Sequence, residues 1–341
     1  MTTVSKITRC SAPYYVQFEV TRCCNNRCFF CYNEIGNVAG AELTTSEIKR
    51  IISEMSDVGV FKINFNGGEP LTRKDFFEFA EFAHDKGFQL HMNTNATLVT
   101  REIAAHISRL MPSVCVSLLS SIPEEHDLMS GRRGAFAEVL RGMDNLRDNG
   151  VSIEVNVCTT KNNYKRLPEI AKIAAQHGCS TLCSTRYILS SPDNVGLLLG
   201  KDETVELIHE LLLIQNSIPG IKATALPGPV PFCEVPQDEW DNLRKLNIPC
   251  QFGYGLCRIS PVGIITPCPI SDDAIADLRK VSFASAWQDA GWCRYENICH
   301  IPGPCRCCEV FTECKCGCIV YDECLKASGV NPCTKKWSEN V

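Results

Sequence analysis

The sequence has no long apolar run, no surplus of basic charge, no low-complexity tract and no internal sequence repeat. Each absence narrows the field. A membrane-spanning helix needs roughly 18 consecutive apolar residues, and the nearest stretch, "HELLLIQNSI", falls well short. The first residues, "MTTVSKITRC", lack the apolar run that follows a basic start in an export signal. A formal net charge of −5 offers no electrostatic footprint for nucleic acid. Together these features predict a soluble cytoplasmic protein with neither a nucleic-acid nor a membrane partner. Hydrophobic residues at 45% and charged residues at 21% suit a chain with a sizeable core.

What the chain has in excess is cysteine, 23 in 341 residues. In a short secreted chain that density would read as a disulfide framework. Here the chain is long, carries no export signal and has enough apolar mass to fold without staples. Metal ligation in a reducing compartment is the better reading. The odd total also leaves at least one thiol over under any pairing scheme.

From Tyr14 to about Tyr187 short apolar runs alternate with amphipathic stretches. "YYVQFEV" (14–20) reads as a strand, and "TTSEIKRIISEMSDVG" as a helix. Thr44 and Glu47 are placed there as a capping box, and Ile48, Ile51, Ile52 and Met55 share one face. Five more strands follow at 61–66, 89–95, 113–119, 152–160 and 181–189. Helices follow them at 74–87, 101–110, 135–150, 166–178 and near 202–216. Six β–α pairs predict an α/β fold, a partial (β/α)6 TIM-like barrel with a parallel sheet inside and helices outside. Residues 1–13 read as an N-terminal extension, 14–216 as the barrel and the proline- and glycine-rich 217–249 as a linker. Residues 250–341 read as a small domain organised by metal, because thirteen cysteines lie from Cys250 to Cys333 among few periodic runs.

The densest chemistry is "EVTRCCNNRCFFCYNE" (19–34), where Cys24, Cys28 and Cys31 form C-x3-C-x2-C in the loop leaving the first strand. Loops at the carboxyl ends of strands are where α/β folds gather ligands. Three thiolates at short spacing can hold an iron–sulfur cluster and leave one iron free. The alternative from spacing alone is zinc, with Cys23 or a distant histidine as fourth ligand. "NFNGGEPL" closes the second strand, where two glycines and an acid read by themselves as an ordinary turn.

Taken together, residues 15–188 resemble the radical S-adenosylmethionine (SAM) superfamily, whose signature is this cysteine loop on a six-unit partial barrel. The resemblance implies a [4Fe–4S] cluster on Cys24, Cys28 and Cys31, with SAM chelating the open iron. Phe30 matches the family's aromatic position before the last cysteine. Gly67 and Gly68 would let the backbone come close to SAM, Glu69 would accept from its ammonium, and Pro70 would fix the turn. Asn95 matches the polar end of the third strand, and Ser117 the fourth-strand serine facing the ribose. "EEHDLMSGRRGAF" (124–136) resembles the family's E-x-H-D-x-x-R-G segment, with Ser130 in place of the arginine. The partner of the SAM carboxylate is then Arg186, Arg132 or Arg133.

The tail resembles the SPASM extension, with its G-x4-C followed by C-x2-C-x5-C-x3-C. By that resemblance Cys250, Cys257, Cys268 and Cys318 would hold one auxiliary [4Fe–4S] cluster. Cys305, Cys308, Cys314 and Cys324 would hold a second, with Cys333 the rival for the last place; two structural zinc knots are the alternative. Three [4Fe–4S] clusters and SAM are thus the expected cofactors. Cys307 and Cys316 have no assignment, while Cys10, Cys115, Cys158, Cys179, Cys183 and Cys233 read as small core residues. Either Cys183 or Cys233 could instead give a hydrogen atom to a substrate radical.

The implied activity is reductive cleavage of SAM to a 5′-deoxyadenosyl radical that takes a hydrogen atom from the substrate. A peptide or protein side chain is the expected substrate, undergoing oxidation, cross-linking or epimerisation. A sugar or aminocyclitol dehydrogenase or epimerase is the enzymatic alternative, and a non-catalytic iron–sulfur electron carrier the other. A low-potential donor such as flavodoxin or ferredoxin would supply electrons. With so little chain ahead of Tyr14, a peptide is expected to need a separate recognition protein.

Overall fold

The computed structural model describes residues 9–33, 40–188, 192–271, 273–296, 305, 308–315, 317 and 318. Six parallel strands run in sequence order: β1 Tyr15–Thr21, β2 Lys62–Gly67, β3 Gln89–Thr94, β4 Ser113–Ser117, β5 Ser152–Thr159 and β6 Cys179–Arg186. The strands are joined by helices α1 Thr45–Asp57, α2 Phe76–Asp85, α3 Arg101–Leu110, α4 Pro123–Ser130, α5 Ala135–Asp148 and α6 Leu167–Gln176. Helix α7, Lys201–Ser217, follows β6. This is the expected partial TIM-like barrel.

The sheet continues past both ends of the expected six. Strand β7, Ala223–Ala225, pairs in parallel with β6. Strand β8, Leu256–Ile259, pairs in parallel with β1 on the opposite edge, Val16 facing Cys257 and Phe18 facing Ile259. Two short antiparallel strands, β9 Ile264–Thr266 and β10 Ala276–Asp277, finish that side. Residues 217–249 therefore differ from the expected linker. They carry β7 and helix α8, Trp240–Leu246, and bury Leu226, Val230, Phe232, Leu243 and Leu246 in the common core. Proline and glycine there mark tight turns between packed elements. The N-terminal residues 9–13 are tied down too: Cys10 N–H donates to Tyr254 O, and Arg9 stacks over the Trp287 ring.

Alternation along each strand sorts the two faces. Val16, Phe18, Ile63, Phe65, Leu90, Met92, Val114, Val116, Ile153, Val155 and Leu182 are buried in the core beneath the helices. The residues between them face inward and are polar: Gln17, Glu19, Asn64, Asn66, His91, Asn93, Glu154 and Asn156. Amide–amide and histidine–amide hydrogen bonds join them, with Asn64 donating to Asn93 at 3.2 Å and meeting His91 Nδ1 at 3.1 Å. Helix α1 starts at the expected capping box, both halves of which form, and its four predicted apolar residues are buried. Arg73, just past the second strand, clamps the carboxyl end of β1 to the entry of α1. Its guanidinium donates to Val20 O, Leu43 O and Asp75.

Candidate active site

Cys24, Cys28 and Cys31 lie on the loop leaving β1, each half-buried, while Cys23 is exposed. Burial first, then Cys31 and Cys24, push the Cys28 thiol up to about 12. Burial also raises Cys24, helped by Glu69 and Cys31, and raises Cys31, helped by Glu19. The three thiols are thus within electrostatic reach of one another and short of positive charge. A cationic metal group supplies what they lack. Cys23 offers its carbonyl instead, which accepts from Glu69 N–H at 2.8 Å and from the Thr72 hydroxyl at 3.2 Å. Among the described residues no three histidine, cysteine or acidic side chains gather tightly enough to close on a single ion. The donor set fits a cluster, whose thiolates stand wider apart.

Gly67 and Gly68 shape this loop by contact. Gly67 sits at φ 131°, and a Cβ there would stand 2.3 Å from Thr21 O. A Cβ at Gly68 would stand 2.1 Å from Cys23 O. Gly68 N–H donates to Thr21 O at 2.7 Å, and Asn33 donates to Gly67 O at 3.0 Å. These glycines permit a close approach of the β2 exit to the end of β1 and the cysteine loop. Gly131 does the same from the other side, where a Cβ would meet Arg27 O at 2.2 Å. Ser130 O accepts from Arg27 N–H at 2.7 Å.

Glu69 is 1% exposed at the mouth of the barrel. Burial drives its carboxyl up to about 7, against the pull of Asn95 N–H, the Thr94 hydroxyl and Leu71 N–H. The first two donate at 2.7 and 2.8 Å. Among the described residues the carboxylate meets neutral donors and no cation, so an ammonium group is the partner its charge calls for. The Asn95 side chain joins the cysteine loop instead, donating to Asn25 at 2.8 Å and lying 3.9 Å from Cys24 Sγ. Thr97 and Asn25 complete that polar knot.

The remaining candidates fall differently. Ser117 ends β4 on the inner face, in register with Asn156. Arg186 is buried, pairing with Glu234 at 2.9 Å and donating to Pro229 O. Arg132 pairs with Glu138 at 2.6 Å, and Arg133 is exposed.

The tail cysteines gather in part. Burial raises the Cys268 thiol, and Cys318 and Cys250 add to it, so these three share one neighbourhood. Burial alone raises Cys257, which sits fully buried on β8. Cys305 and Cys308 are half-buried, and Cys314 is buried in the short helix Phe311–Cys314. Cys324, Cys333, Cys307 and Cys316 lie outside the described residues.

Several cysteines read as core are not. Cys10 is exposed, whereas Cys115, Cys158 and Cys183 are half-buried on the inner face of β4, β5 and β6. Cys158 lies close enough to the loop for Cys28 and Cys31 to raise its thiol beyond what burial does. The strand alternation in "SVCVS" and "EVNVCT" carried this signal, since every second residue is a core valine. Cys179 is buried as expected.

A parallel partial barrel with an open three-thiol loop on its first strand and a cation-seeking carboxylate on its second defines an iron–sulfur enzyme with an amine-bearing cosubstrate. The family model described as the Radical SAM superfamily matches residues 18–174. The mycofactocin maturase MftC of Mycobacterium ulcerans is 30% identical over 320 residues, spanning 90% of this chain and 83% of that protein. The AdoMet-dependent heme synthase of Methanosarcina barkeri is 27% identical over 323 residues, spanning 85% and 90%. Streptococcus suis SuiB, solved with S-adenosylmethionine, has the same fold at a TM-score of 0.76 and 16% identity, covering 91% of this chain and 74% of that one. The chain belongs to the radical SAM superfamily. It is an enzyme of SAM-dependent radical chemistry, which removes the electron-carrier alternative.

Proposed function

We propose that this enzyme modifies a peptide or protein side chain. Cys24, Cys28 and Cys31 hold the cluster, and the buried carboxylate of Glu69 takes the SAM ammonium. A [4Fe–4S] cluster held there by Cys24, Cys28 and Cys31 would supply the electron for reductive cleavage of SAM. Thr94 and Asn95 N–H fix the Glu69 carboxylate, and Gly67, Gly68 and Gly131 fix the loop. Ser117 and Asn156, inward at the same level, offer hydroxyl and amide groups to the nucleoside. Two auxiliary clusters belong to this reading, one on Cys250, Cys257, Cys268 and Cys318, the other on Cys305, Cys308, Cys314 and Cys324. So do a low-potential flavodoxin or ferredoxin donor, a separate peptide-recognition protein and a reducing cytoplasm.

The observation that carries the substrate class is the charge state of the inner face. Arg258 pairs with Glu19, and His91 approaches Glu154 at 3.7 Å. The other inward groups are mostly amides, hydroxyls and thiols. A tetrapyrrole, the substrate class suggested by a heme synthase name, carries several carboxylates and calls for cations not already spent on acids. An amide-lined lumen suits a peptide backbone. The test is anaerobic turnover of reconstituted enzyme with SAM and dithionite. It is given either short peptides translated from neighbouring reading frames or iron-coproporphyrin III. Peptide-stimulated 5′-deoxyadenosine with a mass change in the peptide is expected. Stimulation by the porphyrin alone would overturn the proposal.

A further inference from the structure

Glu19 and Arg258 stand 239 residues apart in the chain and meet inside the barrel as an ion pair. Register brings them together, because Gln17 on β1 faces Arg258 on β8 and Glu19 follows on the same inward face. Glu19 is completely buried and Arg258 nine-tenths buried. The hydroxyl of Tyr32, next to Cys31, donates to the other Glu19 oxygen at 3.4 Å. Arg22 is a further, weaker influence on the same carboxylate.

The pair has a direction. Its acidic end lies toward the first cysteine site: Glu19 stands two residues before the end of β1, from which the cysteine loop leaves, and Tyr32 beside Cys31 donates to it. Its basic end lies toward the tail cysteines: Arg258 sits level with Gln17, nearer the amino end of β1, and faces Thr266 on β9, whose hydroxyl donates to Cys268 O at 2.9 Å. A salt bridge that only held β8 to β1 would not need to run from one thiol site to the other.

We propose that the Glu19–Arg258 ion pair is a fixed dipole that separates the two cysteine sites in reduction potential, holding the Cys24/Cys28/Cys31 site low and the Cys250/Cys268/Cys318 site high. This rests on the reading above that both sites hold iron–sulfur clusters. A negative charge beside a cluster opposes the incoming electron, and a positive charge favours it. Both effects are strong where water is excluded. The SAM site becomes the stronger reductant, and the tail site the easier acceptor. Neither residue touches substrate in this role, so both are positioning residues acting through the clusters.

The test is a redox titration followed by electron paramagnetic resonance on reconstituted full chain. It compares wild type, Arg258→Lys and the double variant Glu19→Gln with Arg258→Gln. Neutralising both partners together spares the protein an unpaired buried charge. In the double variant the SAM-site midpoint is expected to rise and the tail-site midpoint to fall, narrowing the gap. Arg258→Lys should keep the gap. Should the double variant not fold, Glu19→Gln alone should raise both midpoints, and unchanged midpoints would overturn the proposal. Two signals with an unchanged gap in the double variant would overturn the dipole and leave the cluster reading standing. Absence of any tail-site signal in the wild type would overturn both.

Discussion

Gly68 is fixed by a contact that no local sequence pattern carries: a side chain there would meet Cys23 O, brought close by the parallel pairing of β1 and β2. Replacing Gly68 by alanine is expected to displace the cysteine loop and leave the barrel folded. Iron bound at the first site should fall by more than half, while thermal unfolding, followed by circular dichroism, stays cooperative. His126 makes a second prediction at this scale. It is 2% exposed, accepts from Leu119 N–H at 3.2 Å, and burial lowers its pKa from 6.5 to about 4. Its contribution is therefore complete above pH 6.5 and lost as pH falls toward 4, up to about 3 kcal/mol. Replacing His126 by glutamine should flatten that part of the pH–stability profile in urea titrations; an unchanged slope would contradict the assignment. The thiols Cys24, Cys28 and Cys31 and the acid Glu69 were legible because ligand spacing is local. The partners of Gly67, Gly68 and Asn95 were not, since they belong to a loop two elements away.

At the scale of elements, local signals survived and pairings did not. The Thr44 capping box marks α1 from sequence alone, and the structure adds a Thr100 cap on α3, accepting from Ile103 N–H. Strands β7 and β8 have three and four residues among prolines and glycines, too short for a period-2 signal. Their neighbours β6 and β1 are far away in sequence or hidden behind a helix. The same distance concealed the Glu19–Arg258 pair. Strand β8 covers the edge of β1, so a chain ending at residue 249 would expose Tyr15–Phe18 as an open, apolar edge. Such a truncation is expected to aggregate, or to unfold without a single cooperative transition, in size-exclusion chromatography and thermal melts. A monomeric, cooperatively folding product would show that the tail is a separable domain.

For the whole molecule, the tail is part of the barrel wall. The ten strands form one sheet, in which β8, β9 and β10 from the cysteine-rich region precede β1 in spatial order. In that arrangement β9 runs back antiparallel to β8, so the chain reaches Cys268 toward the amino end of β1, opposite the end from which the first cysteine loop leaves. Both thiol sites and the polar lumen then face one interior, with the cation-seeking Glu69 at its mouth. The account depends on Cys24, Cys28 and Cys31 leaving an iron to which SAM can bind and be split. The most direct measurement is 5′-deoxyadenosine formed by the anaerobically reconstituted chain with SAM and dithionite, beside Cys28→Ala prepared in the same way. The account predicts steady 5′-deoxyadenosine from the wild type and none above background from the variant. Equal yields from the two, or none from an iron-replete wild type, would contradict it.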